Sequence, residues 1–294
     1  SLFSDLGFEY IGPLDGHNVA LLREVFRNVK TLSKPIVIHV FTQKGKGYTH
    51  AERNPSKFHG ISPFSIEDGT VETAPSVSFT ERFAQRLVHL AEQDKRIVAI
   101  TAAMAKGTGL SLFQERFPDR FFDVGITEQH AVTFAAGLAH AGMRPVVAIY
   151  ATFMQRAVDQ VIHDIALPNL PVVIALDRAG FVGEDGETHQ GLYDIALFRA
   201  IPNVSILSPA SGSELDRMVE YAVHHQGPVL IRYPKAECGQ EYPGLDEPLV
   251  PGRGAFVHQR GASILIVSVG GILPQAEEAS RILAHQGIET DLYN

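Results

Sequence analysis

With a single cysteine in 294 residues, Cys238, the chain can form no internal disulfide. It has no uninterrupted apolar run long enough to cross a bilayer, and its opening, SLFSDLGFEYIGPLDGH, lacks both an initiator methionine and the basic-then-apolar profile of a secretion signal. Clustered basic residues are also missing: 25 Lys and Arg against 33 Asp and Glu give a net charge of −8, which argues against an extended nucleic-acid surface. A cytoplasmic, reducing setting fits these absences, with no membrane or nucleic-acid partner, and any anionic ligand must be met by local charge. No Cys/His group has zinc spacing and no Gly-x-Ser-x-Gly elbow occurs. The KGKG at 44–47 lacks the spacing of a phosphate-cradling P-loop.

What is present is an ordinary globular composition, 45% hydrophobic and 20% charged, with enough length for about two domains. Val19, Leu22, Val25, Phe26 and Val29 recur at helical spacing within 17–30, and Pro35 to Thr42 reads as a buried strand. The passage from Gln43 to Ser76 follows neither period and reads as a long loop ending in a linker. From Phe79 the pattern is regular. Apolar runs at Ile97–Thr101, Phe121–Ile126, Val146–Tyr150, Val172–Asp177, Val204–Leu207 and Val229–Arg232 predict six strands, with helical periods such as Ala157, Val158, Val161, Ile162 and Ile165 between most of them. That alternation predicts an α/β fold with a doubly wound parallel sheet covered on both faces. After a Pro/Gly-rich stretch from Tyr242 to Gly254, a strand at 263–270 and a helix at 275–284 begin another unit. The expected division is 1–74, 75–250 and 251–294, with partial α/β domains flanking the central one and the chain reading as beginning and ending mid-protein.

In sheets of this kind ligands sit beyond the carboxyl ends of the strands, where loops diverge and helix N-termini point inward. Several candidates fall there. Glu128 follows FFDVGI and opens a helix rich in small residues; it could be a catalytic carboxylate or simply a complement to the helix dipole. Asp185 and His189 lie in FVGEDGETHQG, either a proton-moving loop or a Gly/Asp surface turn. Arg178 and Arg232 end two strands and suit a phosphate, although solvated arginines at strand ends would read the same. Tyr150 flanks the turn YATF together with Phe153, and their rings serve equally for a flat ligand or for packing helix on sheet. Tyr48 and His59 lie in the irregular passage, and the pair His224–His225 reads as a solvated helix face.

Taken in order, YIGPLDGH, KGKGY, FDVGITEQHAVTFAAGLA, YATFMQRAVDQV, LDRAGFVGEDGETHQG and VLIRYP resemble the deoxyxylulose-phosphate synthase family over essentially the whole chain. The TEQH element alone is shared with transketolases and 2-oxoacid dehydrogenase β subunits and marks only the wider thiamine-diphosphate class. The resemblance implies condensation of pyruvate with glyceraldehyde 3-phosphate, with thiamine diphosphate and Mg²⁺ as cofactors, in a homodimer. It gives Glu128 the aminopyrimidine of the cofactor, Phe153 the stacking contact on that ring, and Tyr48 a further cofactor contact. It places Arg178, Arg232 and Tyr150 by the acceptor, has Asp185 and His189 shape the site and move protons, and adds His59 and Arg156 as further active-site positions. The family's metal ligands, a GDG element and an Asn roughly 30 residues later, precede the segment matched here; GEDG at 183–186 and EDG at 67–69 lack that Asn spacing. No metal ligand is therefore expected in this chain, and the piece alone is expected to be inactive. Two rival readings stand beside this one: a transketolase-like or oxoacid-dehydrogenase β chain, and a non-catalytic regulatory subunit.

Overall fold

The computed structural model describes residues 1–294 except 62, 72–75, 184 and 247, so that the expected linker falls largely outside the described residues, as does Glu184 of GEDG. The chain divides into two units, Ser1–Ala74 and Pro75–Asn294.

In the first unit β1 (Glu9–Asp15) runs parallel to β2 (Ile36–Phe41), joined by the helix Val19–Val29. Asn18 caps that helix by accepting the Leu21 amide at 3.0 Å. The two strands approach closely at Gly12, where a Cβ would stand 2.5 Å from the His39 carbonyl oxygen. The irregular passage holds one short helix the sequence pattern did not announce, Thr49–Arg53. Glu52 explains it: its carboxylate accepts the Gly47 amide and the Gln43 side chain, both at 2.9 Å, and so ties the KGKG turn to the helix. Two strands with one long and two short helices bury little. Among the described apolar residues of this unit only Ala51 is fully buried, while Val19 and Phe41 stay 66% and 61% exposed.

The second unit is built on a six-stranded sheet in the order β4-β3-β5-β6-β8-β7. Its strands are β3 (Ile97–Thr101), β4 (Phe121–Asp123), β5 (Arg144–Tyr150), β6 (Val173–Asp177), β7 (Ser205–Leu207) and β8 (Val229–Arg232), all paired in parallel. Alternate side chains serve opposite faces. Val147, Ile149, Ile174, Leu176 and Leu230 pack under the helix Glu128–His140 and the helical run 151–166. Val146, Ala148, Val173, Ala175, Val229 and Ile231 pack under the helices Phe79–Gln93 and Gly212–His224. The doubly wound parallel sheet expected from the sequence is present. Ser78 and Glu81 form a reciprocal capping box at the start of Phe79–Gln93.

Two differences from the sequence expectation fall around the six-stranded sheet. β4 stops at Asp123 rather than Ile126, because the Asp123 carboxylate accepts the amides of Ala103 and Gly125 at 2.8 and 3.0 Å and turns the chain, with Gly125 at φ +73°. The run 151–166 is not one regular helix; it passes through 3-10 geometry at Gln155–Ala157 and ends as a π-helix at Val161–Ala166. The wider last turn keeps Val161, Ile165 and Ala166 all buried.

Residues 251–294 add a separate three-stranded sheet, order β10-β11-β9, from β9 (Phe256–His258), β10 (Ile264–Val267) and β11 (Thr290–Tyr293), with the helix Leu273–His285. Leu273 and Leu292 share a small core with Ala210, Tyr242 and Leu245. Cys238 packs against the core beside the helix Gly212–His224, and burial pushes its thiol up to about 11.

Candidate active site

The chain goes from β3 to one edge of the sheet at β4 and returns to β5 on the other side of β3, so the strand order reverses between β3 and β5. A crevice opens at such a reversal beyond the carboxyl ends of the strands. The turn after β4, closed by Asp123 and by the Thr127 hydroxyl donating to the Val124 carbonyl at 2.7 Å, delivers Glu128 into the first turn of its helix. Glu128 is only 2% exposed, and Arg156 Nη1 donates to its Oε1 at 2.7 Å. A buried carboxylate without such a partner would be costly, so Arg156 sets the electrostatics of this corner.

The same guanidinium lies over the Phe153 ring, 4.8 Å from its centroid. Phe153 stacks on Tyr150, with centroids 5.8 Å apart, and meets the edge of His189 at 5.2 Å. Arg178 covers the Tyr150 ring, its Cζ 3.8 Å from the centroid. Glu128, Arg156, Phe153, His189, Tyr150 and Arg178 thus form one continuous chain of contacts across the ends of β4, β5 and β6. Burial raises the Tyr150 hydroxyl above its ordinary value, with Arg178 opposing.

Arg178 is the best-anchored member. It takes a left-handed backbone (φ +61°), its Nε donates to Asp185 at 2.9 Å, and its Nη1 donates to the Gly107 carbonyl at 2.9 Å and to Asp177 at 3.2 Å. Burial raises the carboxyl of Asp185, but hydrogen bonds from Lys235 and Arg178 outweigh it and hold the group below its usual range. The loop that carries Asp185 and His189 is closed by paired amides of Gly180 and Gly191 and by Gln190, whose side chain bonds Val182 through both its oxygen and its nitrogen.

Arg232 ends β8 next to β6 but belongs to a different ion pair. Its Nε donates to the buried Asp194 at 2.7 Å and its Nη1 to Ser208 at 3.3 Å. In the first unit Tyr48 sits among His50, Phe58 and Phe64 and donates to the Ile66 carbonyl at 2.9 Å, and His59 is exposed. A surface hollow lined by Asp94, Arg96 and His224 lies at the opposite end of the sheet, where β3 begins, and has no part in this site. Among the described residues no group of three or more His, Cys, Asp or Glu side chains is placed to hold a metal ion, and no helix is long and apolar enough to cross a membrane.

A family model described as transketolase, pyrimidine binding domain, matches residues 75–240, more than half of the chain and all of the contact chain just described. This chain belongs to that family. A second model, 1-deoxy-D-xylulose-5-phosphate synthase, matches residues 1–42 of this transketolase-family chain. Among curated proteins it is 53% identical to the 1-deoxy-D-xylulose-5-phosphate synthase of Treponema pallidum (strain Nichols), covering 100% of this chain and 47% of that protein. The synthase of Desulforudis audaxviator is 52% identical, with 100% and 46% covered, so the chain spans about half the length of these relatives. Among solved structures it is similar to a split-gene transketolase described as an inactive beta4 tetramer, at 33% identity and TM-score 0.65, over 74% of this chain and 71% of that one. The transketolase of Campylobacter jejuni subsp. jejuni NCTC 11168 shares the fold at TM-score 0.67 and 17% identity, over 99% of this chain and 56% of that one.

Thiamine diphosphate is the cofactor this transketolase-type family implies, and the corner around Glu128 fits its aminopyrimidine. Arg156 places a flat N–H donor between the Phe153 ring and a buried carboxylate, and an aminopyrimidine offers the same two features, a planar face and N–H groups. Sequence reasoning passed over Gly107, Asp177, Asp194, Gln190 and Lys235. Asp177 carried a signal, as the charged last residue of an otherwise apolar strand, PVVIALD. Gly107 carried none.

Proposed function

We propose that this chain supplies the pyrimidine-facing part of an enzyme that condenses pyruvate with D-glyceraldehyde 3-phosphate, giving 1-deoxy-D-xylulose 5-phosphate and CO2, the entry to isoprenoid synthesis by the non-mevalonate route. The observation that carries the reading is the buried Glu128 carboxylate beside the Phe153 ring, within a chain half identical to synthases of that name. Thiamine diphosphate, when bound, supplies the carbanion chemistry by which pyruvate loses CO2 and its remaining two carbons join an aldehyde. Glu128 would accept an N–H of a bound aminopyrimidine and so favour the tautomer able to take up a proton. Phe153 would stack on that ring, and Tyr48 is a further candidate for contact with the cofactor. Arg178, Arg232 and Arg156 meet the anionic groups of the substrates, Tyr150 lines the acceptor, and His189, Asp185 and His59 hold or move protons.

In this reading residues 1–74 are the end of a diphosphate-binding domain, 75–250 the pyrimidine-binding domain and 251–294 the start of a third, in a cytoplasmic homodimer. The Mg²⁺ that neutralises the cofactor's diphosphate is held by residues outside this chain. The likeness to a split-gene transketolase described as inactive supports a further point, that this chain needs the amino-terminal half of its relatives for activity. The test is to supply that half, fused or in trans, and to assay pyruvate with glyceraldehyde 3-phosphate by mass spectrometry. Deoxyxylulose phosphate formed only in the combination is the expected result. Its absence, or a product from a different donor and acceptor, would reject this reading in favour of a transketolase or dehydrogenase component.

A further inference from the structure

Asp177 ends β6 with no exposed surface, although a neutral side chain would finish the strand at lower cost. One of its oxygens accepts the Thr80 hydroxyl at 2.7 Å and the other accepts Arg178 Nη1 at 3.2 Å. Thr80 does not require a charge there; an amide oxygen would accept from it equally well. Neutralising Arg178 does not require it either, since Asp185 already binds the Nε. What Asp177 adds is direction. With the Gly107 carbonyl it fixes Nη1 from a second side, which holds the guanidinium over the Tyr150 ring. Nη2 is then the one guanidinium nitrogen without a hydrogen bond among the described residues.

We propose that Asp177 is the positioning residue of the site, holding Arg178 so that one nitrogen of its fork is presented to the anionic group of the acceptor. The groups around Asp177 agree with a charge kept for that purpose. Thr80 and Arg178 are its only hydrogen-bond donors among the described side chains. Tyr150 and the fully buried Tyr233, whose hydroxyl has no partner among the described residues, are both driven up by burial first, with Asp177 adding to the effect. Burial lifts Asp177 itself to about 6 against the opposing bonds of Thr80 and Arg178.

The inference rests on Arg178 binding the acceptor phosphate. Its test is therefore run on the assembled enzyme, this chain combined with the amino-terminal half, in wild-type, Asp177→Asn and Arg178→Gln forms, with glyceraldehyde 3-phosphate and with unphosphorylated glyceraldehyde as acceptors. Asp177→Asn should raise KM for the phosphorylated aldehyde about tenfold, leave kcat and the pyruvate KM within about threefold, and leave kcat/KM for glyceraldehyde unchanged. Loss in equal proportion with both aldehydes would make Asp177 a structural residue and overturn the inference. If Arg178→Gln abolishes the preference for phosphate while Asp177→Asn keeps it, the inference fails and the function reading stands. If Arg178→Gln keeps the preference, the phosphate-binding reading itself fails. Should the Asn variant not fold, Asp177→Ser, which can still accept from Thr80, serves the same comparison.

Discussion

At the scale of single residues, the site turns on carboxylates placed where water cannot reach them. Glu128→Gln keeps the shape of the side chain and removes its proton acceptor; in the assembled enzyme turnover should fall at least about a hundredfold with little change in melting temperature. Arg156→Ala should leave Glu128 buried without a counter-charge, so thermal unfolding of the variant should occur at a lower temperature than in wild type. Saturating thiamine diphosphate should restore most of that loss in the assembled enzyme, because the pyrimidine offers the carboxylate a new donor. Arg232→Ala should raise KM for the aldehyde phosphate; an unchanged constant would confine Arg232 to its ion pair with Asp194. Asp177 makes a prediction about pH. Its folded value of about 6 lies above the ordinary 3.8, so the stability linked to it is complete below about 4 and is lost as pH rises through 6. The loss is on the order of 3 kcal/mol. Denaturant unfolding at pH 4.5 and pH 7.5 should show that slope in wild type and a flatter one in Asp177→Asn.

At the scale of elements, the sheet was readable because burial on both faces leaves continuous apolar runs, and Val146–Tyr150 and Val172–Asp177 stand in the structure almost where the pattern put them. The end of β4 was not readable, because a side-chain carboxylate turning its own backbone leaves no trace in hydrophobic period. The helix Thr49–Arg53 escaped for the same reason, being held by Glu52 rather than by an apolar stripe. The site behaved similarly. Glu128, Tyr150, Arg178 and Asp185 could be nominated because strand ends are where ligands bind, whereas Gly107 matters only through a close approach: a Cβ there would run into the Tyr150 hydroxyl. Gly107→Ala should therefore displace Tyr150 and disturb the carbonyl that Arg178 uses, weakening the preference for a phosphorylated acceptor while the fold, judged by far-ultraviolet circular dichroism, is kept. Ser78→Ala, by contrast, removes a cap outside the chain of contacts and should cost about 1 kcal/mol of stability, read by denaturant unfolding.

On the scale of the whole molecule, the two units differ in how much they can bury. The first exposes apolar side chains on its helix and strands, and the second encloses two continuous cores on either side of its sheet. Cys238 lies against one of those cores with its thiol held near 11. As the only sulfhydryl in the chain, it is a built-in reporter of unfolding of the larger unit. A thiol-specific reagent should modify it slowly at neutral pH, because little of a thiol held near 11 is ionised there, and modification should accelerate abruptly at the denaturant concentration where the sheet unfolds.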